Sequence, residues 1–238
     1  MGNAPSKKSS SPKQSVATPA PKVEPATLYY TATSCGAANF ISAHKAGILG
    51  TKLNAYQANI YTKKVASGPS VGADFLAINP KGNVPAIVLA DGTLLNENAA
   101  TLQWIVDNAV VPVGPKAGTT ERYVLQSKLS YVSSEVHGTC GGLFNPNISD
   151  EVSTYLREKY ALKLKFLNDV ELADGRKYWV GNSFTVVDAY LYIVLSWSGY
   201  LKIDLTPYPV VKAWFDGIAA LDHVKEAHAA ITAATPSA

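Results

Sequence analysis

The residue best suited to chemistry in this sequence is Cys35, within the segment YYTATSCGAANF at residues 29–40. Aromatic and β-branched residues precede it, which is typical of a strand, and small helix-compatible residues follow it. A thiol at the N-terminus of a helix has a lowered pKa, so more of the nucleophilic thiolate is present near neutral pH. The alternative is a buried structural cysteine, the usual state of a free one. The local sequence leaves both interpretations open.

The elements that must position Cys35 alternate between strand and helix over residues 27–107. The segments TLYYTAT and LNAYQANIY predict strands, and VPAIVLADGTLL predicts a hairpin that turns at Asp91-Gly92. Helices are predicted in GAANFISAHKAG, which ends at Gly47, in ADFLAINPKG, which is short, and in NENAATLQWIVDNA. The order βαβαββα predicts an α/β domain.

A second, all-helical domain is predicted over residues 119–232. Residues 108–118, NAVVPVGPKAG, contain two prolines and two glycines and predict a linker. After the linker, the hydrophobic pattern predicts helices at about residues 119–138, 150–172, 185–199 and 208–220, and then a short last helix.

One of these helices carries its own start signal. In SFTVVDAYLY, Thr185 and Asp188 have the spacing of a capping box, in which each side chain bonds to the backbone N–H of the other residue. The apolar residues that follow predict a buried central helix. We therefore expect Thr185 and Asp188 to serve folding and not chemistry.

Composition excludes several classes of function. The chain has 238 residues, of which 47% are apolar, and its formal net charge of +3 gives no support for nucleic-acid binding. Its two cysteines, Cys35 and Cys140, predict free thiols in a reducing compartment, so we expect a cytoplasmic protein. No apolar run approaches the roughly 18 residues of a membrane-spanning helix, and no secretory leader is visible. We also expect no metal centre.

Residues 1–26 differ in composition from the rest of the chain. They are rich in Ser, Pro, Ala and Lys and predict a disordered tail. Gly2, after a removable Met1 and with Ser6 following, fits the pattern for N-myristoylation. One acyl chain anchors only marginally, and the tail adds four lysines, Lys7, Lys8, Lys13 and Lys22. The tail therefore predicts weak, reversible membrane association; the alternative is an ordinary polar tail.

Six strings at consistent spacing resemble the cytosolic glutathione S-transferases, and most closely their bacterial-type beta class: LYYTATSC, TKK, DFLAINPKGNVPAIVLADGTLL, SSEVHG, FTVVDAYLY and DLTPYPVVKAWFDGIAA. The resemblance covers about residues 27 to 228. It implies a thioredoxin-like α/β domain followed by an all-α helical bundle, and a homodimer. It also implies a cleft between the domains that holds glutathione as co-substrate beside an apolar electrophile.

The resemblance assigns glutathione-binding roles to five residues of the first domain. Pro85 stands where the family has a cis proline, which leaves the backbone N–H and C=O of Val84 free to pair with the glutathione backbone. Glu97 and Asn98 begin a helix whose N-terminus attracts anions, and in the family this pair holds the γ-glutamyl end. Asn98 stands where Ser is more usual. Lys63 occupies a position that contacts the glycyl end.

The resemblance also identifies Cys35 as the glutathione-facing cysteine of the family, which favours the reactive interpretation of this thiol. The next residue is Gly36, where beta-class members commonly have Ser, so a Ser-type catalytic group is missing there. Tyr29 is a weaker catalytic candidate, because Tyr-type transferases place their catalytic tyrosine near this strand.

In the second domain, the resemblance implies an active-site role for His137 in SSEVHG. Ser130 stands where the family has a glutathione-contacting Asn, so the resemblance implies that Ser130 binds glutathione, and Gly138 stands where the family often has Lys. Cys140, three residues after His137, would lie on the same helical face as either a second thiol or a packing residue.

These residues support three functions. The first is conjugation of the glutathione thiol to an apolar electrophile. The second is glutathione-dependent disulfide or peroxide reduction, in which Cys35 forms a mixed disulfide with glutathione. The third is a non-catalytic protein that uses the fold to bind ligands or partners.

Overall fold

The computed structural model describes residues 25–235. Gly2 and the predicted tail as far as residue 24 lie outside the described residues, so the acylation of Gly2 stays a prediction. The first strand begins at Ala26, within one residue of the predicted start of the folded chain. None of the described helices is long and apolar enough to cross a membrane.

The first half of the chain forms a mixed five-stranded sheet with two helices. Its elements are β1 (Ala26–Tyr30), α1 (Gly36–Ala46), β2 (Leu53–Asn59), β3 (Lys64–Val65), β4 (Ala86–Val88), β5 (Leu94–Leu95) and α2 (Asn98–Asn108). The strand order is β3-β2-β1-β4-β5, with β1 parallel to β2 and antiparallel to β4. β1, with its apolar and aromatic residues, is therefore the central strand of the sheet. The junction between β1 and α1 lies at one end of the core.

The structure corrects the prediction for ADFLAINPKG. Instead of a short α-helix, this segment forms a three-residue 3₁₀ turn, Phe75–Ala77. Asp74 caps the turn by accepting a hydrogen bond from the N–H of Leu76 at 3.2 Å. Pro80 has no N–H to donate, so the helical pattern cannot continue through it.

Two other local predictions for this half are confirmed. The Val84–Pro85 peptide bond is cis. The hairpin between β4 and β5 turns at Asp91-Gly92, where the N–H of Leu89 donates to the carbonyl of Thr93 at 2.9 Å. Gly92 adopts a φ of 85°, which a residue with a side chain rarely adopts.

The second half is helical, as predicted. Its helices are α3 (Thr120–Tyr131), α4 (Gly138–Gly141), α5 (Asp150–Phe166), α6 (Val186–Ser196), α7 (Pro209–Ala219) and α8 (Asp222–Ala233). A π-helical segment, Val132–His137, joins α3 directly to α4. Another π-helical segment, Leu167–Glu171, extends α5. Helix α1 of the first half packs against α6 and α8, so the two halves share one core.

The predicted capping box begins α6. The Asp188 carboxylate accepts hydrogen bonds from the N–H and the hydroxyl of Thr185, both at 2.8 Å, and from the N–H of Trp179 at 2.8 Å. Asp188 is fully buried, and burial raises its pKa to about 6 against the effect of these donors. The box therefore also fastens the loop at Trp179 to the central helix.

Candidate active site

A cleft of about 240 Å³, here called the thiol cleft, lies where the two halves meet. It is lined from the first half by Cys35, Asn83, Val84, Pro85, Asn96, Glu97 and Asn98, and from the second half by Ser133, His137, Gly138, Gly141 and Tyr190. The structure thus brings together six of the eight residues predicted to be catalytic or to bind glutathione. The other two, Lys63 and Ser130, lie outside this lining.

Cys35 is the N-cap of α1, which confirms its predicted place at a strand-to-helix junction. Only 8% of the residue is exposed, and its Sγ donates to the carbonyl oxygen of Val84 at 3.5 Å. Burial raises the pKa of the thiol to about 12, although the N–H groups of Cys35 and Gly36 act in the opposite direction. The predicted lowering of this pKa is therefore wrong in this structure, because desolvation of the sulfur outweighs the helix N-terminus.

Gly36 allows the chain to turn closely into α1. A Cβ atom at this position would lie 3.1 Å from the Cβ of Tyr30 and 3.2 Å from the Oγ of Ser34. The Ser34 hydroxyl instead accepts a hydrogen bond from the N–H of Gly36 at 3.1 Å. The junction between β1 and α1 is therefore crowded, and it leaves little room for a side chain at position 36.

The backbone of Val84 faces the cleft beside Cys35. The sequence predicts that both the N–H and the C=O of Val84 are free. In the structure the C=O is not free, because it accepts a hydrogen bond from the Cys35 thiol. Within residues 25–235, the N–H of Val84 has no hydrogen-bond partner. A peptide-like ligand in the cleft could accept from this N–H.

Glu97 and Asn98 stand at the N-terminus of α2, as predicted. Glu97 is the N-cap, and its exposed carboxylate pairs with Lys81 at 2.5 Å. The Asn98 side chain is buried: it accepts from the amide of Asn39 and donates to the carbonyl of Cys35 at 3.5 Å. Asn98 therefore connects α2 to α1. The N–H groups at the N-terminus of α2 remain available to attract an anion in the thiol cleft.

Lys63 lies next to the cleft and not in its lining. It has a φ of 56°, and its Nζ donates to the carbonyl of Gly82 at 2.8 Å. Gly82 precedes the cleft residues Asn83 and Val84, so Lys63 holds the segment that presents the Val84 backbone.

His137 is positioned by residues that are distant in the sequence. Its Nδ1 lies 2.8 Å from the hydroxyl oxygen of Tyr190 on α6, and its ring packs edge-on against Trp197 with 5.0 Å between centroids. Burial lowers the pKa of His137, which keeps the imidazole neutral near pH 7. Tyr190 lies in SFTVVDAYLY, whose capping pattern predicts a structural role only, and its one local signal is a hydroxyl within an otherwise apolar helix.

Ser130 does not reach the cleft. It is exposed on α3, and Ser133 lines the cleft in its place. In a regular α-helix, residues seven apart share a face, so Ser130 would lie below His137. The π-helical segment Val132–His137 contains more residues per turn, which rotates Ser130 away and aligns Ser133.

The remaining candidate side chains pack in the interior. Cys140 is 1% exposed, and its Sγ donates to the carbonyl of His137 at 3.5 Å. Burial raises the pKa of this thiol to about 12. Tyr29 packs against Phe75 in a separate cluster on the sheet and does not line the thiol cleft.

A second cavity of about 480 Å³, here called the aromatic cavity, opens beside the thiol cleft. Its walls are the rings of Phe144, Trp197, Tyr200, Tyr61 and His228, with Ala32, Thr33, Ile193 and Ser196. The Trp197 ring contacts both His137, which lines the thiol cleft, and Phe144, which lines the aromatic cavity, so it lies where the two spaces adjoin. Among the described residues, no cluster of His, Cys, Asp and Glu is suited to hold a metal ion.

Comparisons with known proteins agree with this architecture. The family model "Glutathione S-transferase, C-terminal domain" matches residues 116–222. Glutathione S-transferase GstA of Escherichia coli O157:H7 is 31% identical over 206 residues, which cover 84% of this chain and 96% of the relative.

Solved structures give the same result over the whole fold. A sphingomonad glutathione S-transferase complexed with glutathione is 35% identical, with a TM-score of 0.79, covering 87% of this chain and 98% of the other. A beta-class glutathione S-transferase from Sphingomonas chungbukensis is 34% identical, with a TM-score of 0.78, covering 86% and 98%. This chain therefore belongs to the glutathione S-transferase family, and its structural neighbours include the bacterial beta class that the sequence resembles.

Proposed function

We propose that this protein conjugates glutathione, through its thiol, to apolar electrophiles. One observation carries the proposal: Cys35, His137, the Val84 backbone and the N-terminus of α2 line a single cleft, which adjoins a cavity walled by aromatic rings. The backbone and polar groups of the thiol cleft suit a peptide-like thiol, and the aromatic rings of the second cavity suit an apolar co-substrate.

Glutathione in this cleft would use the groups that the structure leaves available. The Val84 N–H would donate to the peptide backbone, and the N-terminal N–H groups of α2 would receive the γ-glutamyl carboxylate. When the Tyr190 hydroxyl donates to Nδ1 of His137, the proton of this neutral imidazole is on Nε2. That N–H can stabilise the glutathione thiolate, which then attacks the electrophile and expels its leaving group.

Thiol–disulfide exchange is the second candidate, because the Cys35 sulfur itself lines the cleft. It ranks below conjugation because burial and the Val84 carbonyl both favour the protonated thiol. Exchange needs the Cys35 thiolate, whereas conjugation needs only the thiolate of glutathione.

Activity assays of two variants separate these functions. Conjugation is measured with 1-chloro-2,4-dinitrobenzene and exchange with hydroxyethyl disulfide. Cys35→Ala is expected to reduce conjugation by about tenfold at most and His137→Ala by more, roughly 10- to 100-fold. Any exchange activity should vanish in Cys35→Ala.

Different outcomes would select a different function. Exchange without conjugation in the wild type would favour the reductase. Retention on a glutathione resin with neither activity would favour the non-catalytic binding protein. A wild type that neither binds glutathione nor turns over would overturn the proposal.

We further propose a homodimer that works in the cytoplasm and associates weakly with membranes through an acylated Gly2. Two free cysteines support a reducing compartment. Exposed apolar side chains on α3 and α5, among them Tyr123, Val124 and Leu162, support a paired helical face. Light scattering tests the dimer, and a mass of 25.3 kDa, that of the single chain, would contradict it.

A further inference from the structure

The aromatic cavity has a composition that restricts its ligand. Among the residues of 25–235 that line it, none is Lys, Arg, Asp or Glu. Its volume of about 480 Å³ lies within the range of small-molecule sites. Burying a charge in such a site without a partner would be costly, so the lining favours an uncharged molecule.

The shape of the cavity favours a flat ring. Phe144 and Tyr200 stack with their planes 16° apart and their centroids separated by 5.6 Å, while Trp197 meets Phe144 edge-on at 5.3 Å. Phe144 and Tyr200 are 41% and 78% exposed, and Tyr61, which also lines the cavity, is 89% exposed. Large aromatic faces left open to one cavity can pack against a planar ligand.

Trp197 fixes the direction of the ligand relative to the thiol cleft. Its indole N–H donates to the carbonyl of Thr33 at 3.0 Å, which holds the ring between the two spaces. Thr33 lies two residues before Cys35, so the end of the cavity at Trp197 is the end nearest the glutathione sulfur. A ligand would place its reacting carbon there and its far end towards α8.

His228 on α8 supplies an imidazole to this lining, beside the hydroxyls of Thr33 and Ser196. Its Nε2 lies 3.0 Å from the hydroxyl oxygen of Tyr192, and burial lowers its pKa, so the ring is neutral near pH 7. When the Tyr192 hydroxyl donates to Nε2, the imidazole proton is on Nδ1. Within the described chain, Nδ1 has no hydrogen-bond partner, and His228 lines the cavity.

We propose that His228 selects a flat, uncharged aromatic electrophile that carries a hydrogen-bond acceptor, such as a nitro or carbonyl group, opposite its reacting carbon. The acceptor receives the Nδ1–H of His228 while the ring packs against the aromatic side chains that line the cavity. This inference rests on the proposed function. In the reaction with 4-nitrobenzyl chloride, the glutathione thiolate forms a C–S bond, the C–Cl bond breaks, chloride leaves, and the thiol proton passes to solvent.

Binding of two product analogues tests this proposal without relying on turnover. S-(4-nitrobenzyl)glutathione carries the acceptor and S-benzylglutathione lacks it, so the ratio of their dissociation constants isolates the added group. Titration calorimetry with the full chain is expected to show about tenfold tighter binding of the nitro compound, as for one net hydrogen bond. His228→Phe should reduce this ratio to about one, and His228→Gln, which restores an N–H donor, should recover most of it.

Lys225→Gln is the matched control, because Lys225 is exposed on the same helix and does not line the cavity. It should keep the wild-type ratio. Equal affinities for the two analogues in the wild type, or an unchanged ratio in His228→Phe, would overturn the role of His228. Failure of both analogues and of glutathione itself to bind would instead overturn the proposed function.

Discussion

Removing the carboxylate of Asp188 tests how the helical half is held together. This fully buried carboxylate accepts three hydrogen bonds, from the N–H of Trp179 and from the N–H and hydroxyl of Thr185. Asp188→Ala therefore leaves two backbone N–H groups without a partner inside the core. Each buried donor left unsatisfied costs about 1–3 kcal/mol, and the lost cap adds about 1 kcal/mol.

We expect Asp188→Ala to lower the free energy of unfolding by about 3–7 kcal/mol. From the capping-box spacing alone, the loss would be about 0.5–2 kcal/mol. Thr185→Ala removes one hydroxyl but leaves the carboxylate with both N–H donors, so its loss should stay within about 1–2 kcal/mol.

Ser149→Ala is the matched control for capping without burial. Ser149 caps α5 by accepting from the N–H of Val152 at 3.3 Å, and it is exposed. Its loss should be about 0.5–1 kcal/mol. Urea unfolding followed by far-UV circular dichroism, at one protein concentration, gives all four free energies. A loss for Asp188→Ala no larger than that for Ser149→Ala would refute the reasoning.

Three further predictions concern single groups. Because burial raises the pKa of both Cys35 and Cys140 to about 12, iodoacetamide should label neither thiol rapidly at pH 7.5; a Cys35 that titrates below pH 8 by mass spectrometry would contradict this. Burial lowers the pKa of His223 to about 4 from its usual 6.5, so the unfolded chain binds a proton at this residue more readily than the folded chain. The contribution of His223 to the free energy of unfolding is therefore fully present above about pH 6.5, and it is lost as the pH falls towards 4. Because the ring is partly exposed, the loss attributable to His223 should be only about 1 kcal/mol, measured as the difference in pH profile between wild type and His223→Gln. Gly2→Ala should abolish acylation in a eukaryotic host and leave the protein wholly in the soluble fraction; an unacylated, fully soluble wild type would make the motif accidental.

Some site residues could be found from the sequence because their signals are local. A strand-like segment precedes Cys35 and a helix-like segment follows it, so these neighbouring residues alone predict that Cys35 lies at a strand-to-helix junction. Val84-Pro85 stands within DFLAINPKGNVPAIVLADGTLL, a long string that is typical of the family, and Glu97-Asn98 follows it at the start of the next predicted helix. The structure places these residues in one cleft without changing their predicted positions along the chain.

Other features depended on geometry that no local pattern encodes. The contrast between Ser130 and Ser133 arises from the π-helical segment, which changes the number of residues per turn just before His137. Tyr190 and His228 lie more than 50 and 90 positions beyond His137 along the chain, and only packing of the helices brings them to the two cavities.

The sequence by itself determined the order of β1, α1, β2, β4, β5 and α2, the capping box at Thr185 and Asp188, and the hairpin at Asp91-Gly92, but it missed the short strand β3. These follow from residue type and spacing over a few positions. Only the tertiary structure decided the state of Cys35. A helix N-terminus lowers the pKa of a thiol, but burial of this sulfur beside the Val84 carbonyl raises it, because desolvation depends on atoms from distant segments.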